Sequence, residues 1–293
     1  MICEHEKSPC MEKIKNWLIL LLFGFISHVT SGQLPDGVTA TQSFLDEIIK
    51  NYREENSISF DPNTVSTLIK VPVRTHIIMN INGTAGVNVN NIRNSINLAN
   101  GFFRYAGIQF FIDSIDYVND YNYSIIKYDN LRKELLNRYT VNSRINLFLA
   151  DSLQFGNNKC YGFTYFPNVP DSNIIYLDKK YITGNSLTTM LGHFMGLLST
   201  HETLGGVELV NERNCSSAGD YICDTYADPG LLNMVIDSCK YIGSMRDDNG
   251  RYYVPTVANI MSESPDKCKC ILTPLQYRRI YYYFHRYRLY LTR

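Results

Sequence analysis

The spacing of apolar residues divides the chain into alternating helical and extended segments. In "TQSFLDEIIKNYREEN", residues 41–56, Phe44, Leu45, Ile48, Ile49 and Tyr52 fall at the spacing of one helix face. "KVPVRTHIIMNI", residues 70–81, is dense in apolar and β-branched residues and predicts a strand. "NNIRNSINLANGFFRYAG" then sets Ile92, Ile96, Ala99, Phe103 and Ala106 on one helical face and ends at Gly107, a residue suited to closing a helix. A strand is predicted over 108–118, a short helix over 131–139 and a strand over 144–150, followed by shorter strands at 161–166 and 173–177. "SLTTMLGHFMGLLSTHET", residues 186–203, predicts a further helix. From 205 to 265 the chain is rich in Gly, Asn, Asp and Cys without a sustained period, as expected of an irregular, disulfide-tied subdomain. A last helix starts in "TPLQYRRIYYYFHRYRLYL". Thr273 supplies the N-cap, Pro274 the first turn and Gln276 the third-position partner of a capping box. Its tyrosines and arginines are expected to cover a core while keeping their polar tips wet.

The N-terminus carries a different signal. Lys13 and Lys15 precede the apolar run "WLILLLFGFI" at 17–26, and small and polar residues follow in "SHVTSGQ". This is the pattern of a signal peptide over residues 1–32, and the run is short for a membrane span. The expected product is secreted, with residues 33–70 as an N-terminal arm or short pro-segment and 71–293 as the main domain. Lys plus Arg balance Asp plus Glu at 28 each, so charge gives no reason to expect nucleic acid or, once the leader is gone, a membrane as partner. Outside the leader, Cys160, Cys215, Cys223, Cys239, Cys268 and Cys270 remain. An even count in an oxidising compartment favours disulfides, with 15 connectivities open for six cysteines. A zinc cluster fits less well, because Cys268-x-Cys270 is tighter than the usual C-x(2–4)-C spacing.

The helix at 186–203 has the spacing of a zinc-protease helix with most of its chemistry replaced. In H-E-x-x-H, two histidines four residues apart aim from one face at one ion, and the Glu takes a proton from bound water. A following x-x-G-x-x-H turns the chain and returns a third ligand. With His193 as the second histidine, Gly196 stands at the turn. Thr189 then occupies the first ligand position, Met190 the general-base position and Ser199 the third ligand position. A lone histidine on an apolar helix is ordinarily a packed residue, so this spacing alone defines no site.

Other segments fall in a matching order across residues 71–293: "VPVRTHIIM", "LGHFMGLLSTHE", "CDTYADP" at 223–229, "NIMSES" at 259–264 and "LTPLQYRRI". Together they resemble the pappalysin-type metzincins, secreted zinc endopeptidases with an "LGHxxGLxHTxE" helix, a "CDTPxDP" segment and an "NxMSY" Met-turn. The resemblance implies an α+β metzincin-like fold. Its twisted, mostly parallel sheet would be backed by the helix at 90–106 and by the active-site helix, with an irregular C-terminal subdomain. It makes Met261 the Met-turn methionine, and it suggests Cys215 with Cys239 and Cys223 with Cys268 as disulfides, leaving Cys160 and Cys270 for a third. The departures concentrate on the chemistry. Besides Thr189, Met190 and Ser199, Glu263 replaces the tyrosine of the Met-turn and Tyr226 the proline of "CDTP". Residues 33–70 also contain no cysteine that could latch onto a metal.

Hydroxyls are not among zinc's usual ligands, and loss of a general base alone costs about 10²–10⁴ in rate. The expectation is therefore a secreted, catalytically inactive metallopeptidase homologue with no catalytic residue and no metal or other cofactor. It would bind a peptide or protein in the retained cleft by strand addition along "YGFTYFP". The alternative is an active zinc metalloendopeptidase with substituted ligands, drawn from His193, His201, Glu202 and Glu263. A third reading is a structural domain whose cleft is filled by its own side chains, to which an apolar Met190 is suited.

Overall fold

The computed structural model describes residues 34–127, 130–155, 158–170 and 172–292; the expected signal peptide lies outside them. The fold is α+β. Its main sheet has the order β2-β1-β4-β8-β7, with β1 at Ile69–Ile78, β2 at Ile108–Val118, β4 at Ile145–Ala150, β8 at Ile174–Asp178 and β7 at Gly162–Thr164. The first four strands are mutually parallel and β7 runs antiparallel along β8 at one edge. Strands β4 and β8 are buried at every position, as befits central parallel strands covered on both faces. A small second sheet, β3 (Ile125–Lys127), β5 (Ser152–Phe155) and β6 (Asn158–Cys160), flanks it.

Parallel neighbours need crossovers, and helix α2 (Val89–Phe103) joins β1 to β2. Asn88 caps it, and after a 3₁₀ turn the chain closes at Gly107 with φ 77°, as its sequence predicts. Ile92, Ile96, Ala99 and Phe103 pack in one core with Leu187, Leu191 and Phe194 of α4 (Ser186–Phe194). Helix α4 is shorter than residues 186–203 because Gly196, at φ 97°, turns the chain away. Helix α3 spans Asn130–Tyr139.

Residues 34–57 are built into this fold. Helix α1 (Gln42–Ser57), capped by Thr41, buries Phe44, Leu45 and Ile48 against Phe166, Leu198, Tyr282 and Tyr283. Ile49, assigned by spacing to the same face, is 57 % exposed. At the end of α1 the carboxylate of Glu55 accepts from Arg279 Nε at 3.0 Å, with both side chains buried. Arg279 also donates to the carbonyls of Asp220 and Tyr221, so one guanidinium ties together α1, the irregular subdomain and helix α5 (Pro274–Tyr283). Helix α5 begins with the predicted capping box of Thr273 and Gln276. The Gln276 amide further exchanges hydrogen bonds with Asn259, whose Oδ1 also accepts from Met261 N, and this fixes the Met-turn.

The disulfide pairing differs from the one implied by resemblance. Cys215 is bonded to Cys223 and Cys239 to Cys268. Between the first pair the chain doubles back within eight residues through Gly219 and Tyr221, both at positive φ, which brings Cys223 rather than Cys239 to Cys215. Cys160 and Cys270 form no disulfide. Cys160 is buried on β6, against which Gly37 is packed, whereas Cys270 is held by backbone hydrogen bonding to Ala258. In the chain-entropy picture the separation of 29 residues from Cys239 to Cys268 corresponds to roughly 3–4 kcal/mol of stabilisation.

Candidate functional site

The site is assembled from α4, the Met-turn, the strip from Cys160 to Gly162, and the arm. Every residue of α4 is buried. Asn185 anchors its start: the backbone N–H donates to Asp266 and the side-chain amide to the carbonyls of Asp266 and Lys269. Under the helix, Met261 packs so closely beneath Gly192 that a Cβ there would lie 2.5 Å from its sulfur. The Met-turn thus keeps the packing role its position implies.

The positions that would carry zinc chemistry do other work. Thr189 Oγ1 donates to the Ile260 carbonyl at 3.0 Å. Met190 is 0 % exposed and lies against Gly162, where a Cβ would meet its sulfur at 2.7 Å. Ser199 is buried, and its carbonyl accepts from Glu202 N. His193 is fully buried, with Nδ1–H donating to the Leu197 carbonyl at 2.8 Å. That bond turns Nε2, the nitrogen a ligand histidine would offer, towards Oδ2 of Asp36 at 3.3 Å. Each ring nitrogen thus faces an oxygen.

Asp36 was invisible to sequence reasoning. It lies 157 residues from His193, and "PDG" at 35–37 is by itself only a turn signal. Burial would raise the Asp36 pKa, but the hydrogen bond and charge of His193, together with Lys269 and His201, hold it below the ordinary carboxylate value. The arm around it lies along the strip preceding and opening β7: the Pro35 carbonyl accepts from Tyr161 N at 3.1 Å, and Gly37 N donates to the Gly162 carbonyl at 2.8 Å. The edge expected to receive an added strand is therefore engaged by residues 35–37 of the same chain.

The remaining charged groups form a ring around this contact. His201 Nε2 lies 3.6 Å from Glu263 Oε1. Burial raises the Glu263 pKa, with His201 opposing. Lys269 is buried, which lowers its pKa against the pull of Asp266, Asp36 and Glu263. Glu202, a substitute ligand on sequence grounds, instead caps its own turn, accepting from Thr203 N and Leu204 N at 2.8 Å each. A catalytic zinc site takes three protein donors around one ion. Among the described residues no group of three or more His, Cys, Asp or Glu side chains is arranged to hold a metal ion. The one imidazole at a family ligand position faces a carboxylate, and a hydroxyl that donates to a carbonyl stands at another. These residues do not fit the family's zinc.

No family model matches the chain. It is 26 % identical over 231 residues, 75 % of this chain and 76 % of the relative, to an extracellular metalloprotease of Sordaria macrospora. Its structure is similar to mature mirolysin of Tannerella forsythia in complex with a cleaved peptide, at TM-score 0.56 and 17 % identity, covering 73 % of this chain and 91 % of that one. A mutant of promirolysin from the same organism gives TM-score 0.61 and 16 % identity, over 85 % of this chain and 93 % of that one. The fold is thus metzincin-like, and the chain is a metallopeptidase-like protein.

Proposed function

We propose that this chain is a secreted metallopeptidase homologue that does not hydrolyse peptides and whose cleft serves to hold an extended peptide segment. The observation that carries the reading is the buried contact of His193 with Asp36. It places a carboxylate where the ligand nitrogen would need a metal, beside a base position filled by Met190. Loss of a proton acceptor and of donors bears on the same step, so the family's hydrolysis has neither its activated water nor the group that would deprotonate it. The order of "LGHFMGLLSTHE", "CDTYADP" and "NIMSES" supports placing the chain with the pappalysin-type branch. Two disulfides and the extracellular relative support secretion. Among the described residues no helix is long and apolar enough to cross a membrane.

Own-chain occupation of the edge supports peptide holding: the Tyr161 amide and the Gly162 carbonyl already bond residues 35 and 37. The active alternative would need His201 and Glu263, 3.6 Å apart, to converge with His193 on one ion, whereas His193 Nε2 faces Asp36. The test is proteolysis of a denatured protein substrate in zinc-supplemented buffer, followed by mass spectrometry. The wild type and His193→Ala should both leave the substrate at the no-protein rate. Chelator-sensitive cleavage that His193→Ala abolishes would overturn the proposal.

A further inference from the structure

We infer that the cleft is selective for an acidic residue followed by glycine, in an extended segment with an apolar residue on each side. The arm stretch Leu34 to Val38 is the chain's own copy of that ligand. The inference rests on the proposed peptide-holding reading and names the class of peptide that the site takes.

Each element of the motif has its own cause. At the acidic position, Asp36 Oδ2 faces His193 Nε2 at 3.3 Å, and although burial opposes a carboxylate there, His193, Lys269 and His201 favour one. An amide there would keep a hydrogen bond and lose the charge. At the next position space decides. A Cβ on Gly37 would lie 2.7 Å from Cys160 Sγ and 3.1 Å from the Gly162 carbonyl oxygen, and that backbone oxygen is fixed because it accepts from Gly37 N. Any larger residue must give up the hydrogen bond that places the segment. On either side, Leu34 packs on the main core and Val38 on both that core and the cluster around Phe44 and Phe166. The Pro35 carbonyl supplies the second backbone contact.

An arm tethered in the same chain acts at an effective concentration of about millimolar, so a free peptide must compete with it. The experiment uses the full-length chain with Gly37→Val, which evicts the arm by contact. Asp36→Ala is a second variant that weakens it by charge. The probe is a fluorescently labelled peptide of residues 34–41, with binding read by anisotropy. The peptide should bind either variant at least about tenfold more tightly than the wild type. Peptides carrying Asp36→Asn or Gly37→Val should bind the variants about ten- to a hundredfold more weakly than the parent peptide. Adding His193→Ala to the protein should erase the difference between Asp and Asn peptides while leaving the Gly requirement. If all three peptides bind the variants equally, selectivity for Asp-Gly is wrong and the peptide-holding reading stands. If no peptide binds either folded variant, both fall. Should the peptide be cut in a chelator-sensitive way, the reading of an inactive cleft is wrong, whatever the selectivity.

Discussion

Met190 shows at the scale of one residue why the catalytic position cannot simply be refilled. Its side chain occupies the space that Gly162 leaves by lacking a Cβ, and no solvent reaches it. Met190→Glu should therefore bury a carboxylate in space that Met190 now fills against Gly162. We expect a loss on the order of 3 kcal/mol, read as a lower denaturant midpoint, and a smaller loss in acid, where the carboxyl is neutral. A midpoint equal to the wild type would mean that the position is open to water.

Glu208 gives a second prediction at this scale. It is buried, neither carboxylate oxygen has a hydrogen-bond partner, and burial followed by the nearby Asp220 pushes its pKa up to about 8. Asp220 is itself pushed up to about 7, chiefly by burial. A raised carboxyl binds its proton more tightly in the folded chain than in the unfolded one. Stability should then fall as pH climbs from the ordinary Glu value of 4.5 towards about 8, and level off above it. Glu208→Gln should flatten part of this slope and leave the variant more stable than the wild type at about pH 8, by on the order of 1 kcal/mol or about 2–4 °C in Tm. Thermal melts across that range provide the check, and parallel slopes for both proteins would contradict it.

Among the elements, α1 separates an integral arm from a detachable one. Among the described residues, Glu55 is the only carboxylate in hydrogen-bond contact with the buried Arg279. Glu55→Ala should cost about 3–5 kcal/mol, because it strands a buried guanidinium rather than removing a surface contact. Glu55→Gln, which keeps an acceptor, should cost less. Urea unfolding monitored by tyrosine fluorescence measures both. A loss under about 1 kcal/mol for the alanine variant would mark α1 as a loosely attached pro-segment.

The elements themselves were largely legible. The period of Ile92, Ile96, Ala99 and Phe103, closed by Gly107, located α2, and the capping box of Thr273 and Gln276 located the start of α5. Legibility failed where partners are distant or pairing has several solutions. The short strands β5 and β6 carry too few residues to show a period, and Ile49 satisfies helical spacing yet faces solvent. The disulfides followed a tight turn through Gly219 and Tyr221 that spacing does not disclose. At the site, His193 and Met190 were picked out by laying the H-E-x-x-H frame on the helix, and Met261 by resemblance to a Met-turn. Asp36, Lys269 and Tyr161 were not, because a contact across 157 residues leaves no local pattern.

For the whole molecule, the fold is metzincin-like, and the proposed loss of hydrolysis would leave that framework in place. The parallel sheet, the buried α4 and the Met-turn beneath Gly192 would hold a metal-binding helix in place, and here they hold His193 against the arm. Balanced charge and the disulfide-tied C-terminal region are compatible with the proposed secretion and peptide holding. The most direct measurement is the zinc content, by elemental analysis, of the protein purified without chelator and dialysed against metal-free buffer. Less than about a tenth of an equivalent per folded chain is expected, with no difference for His193→Ala, since too few donors converge to retain an ion. One zinc per chain, lost on His193→Ala, would contradict this account and make His201, Glu263 and Asp36 the next ligands to test.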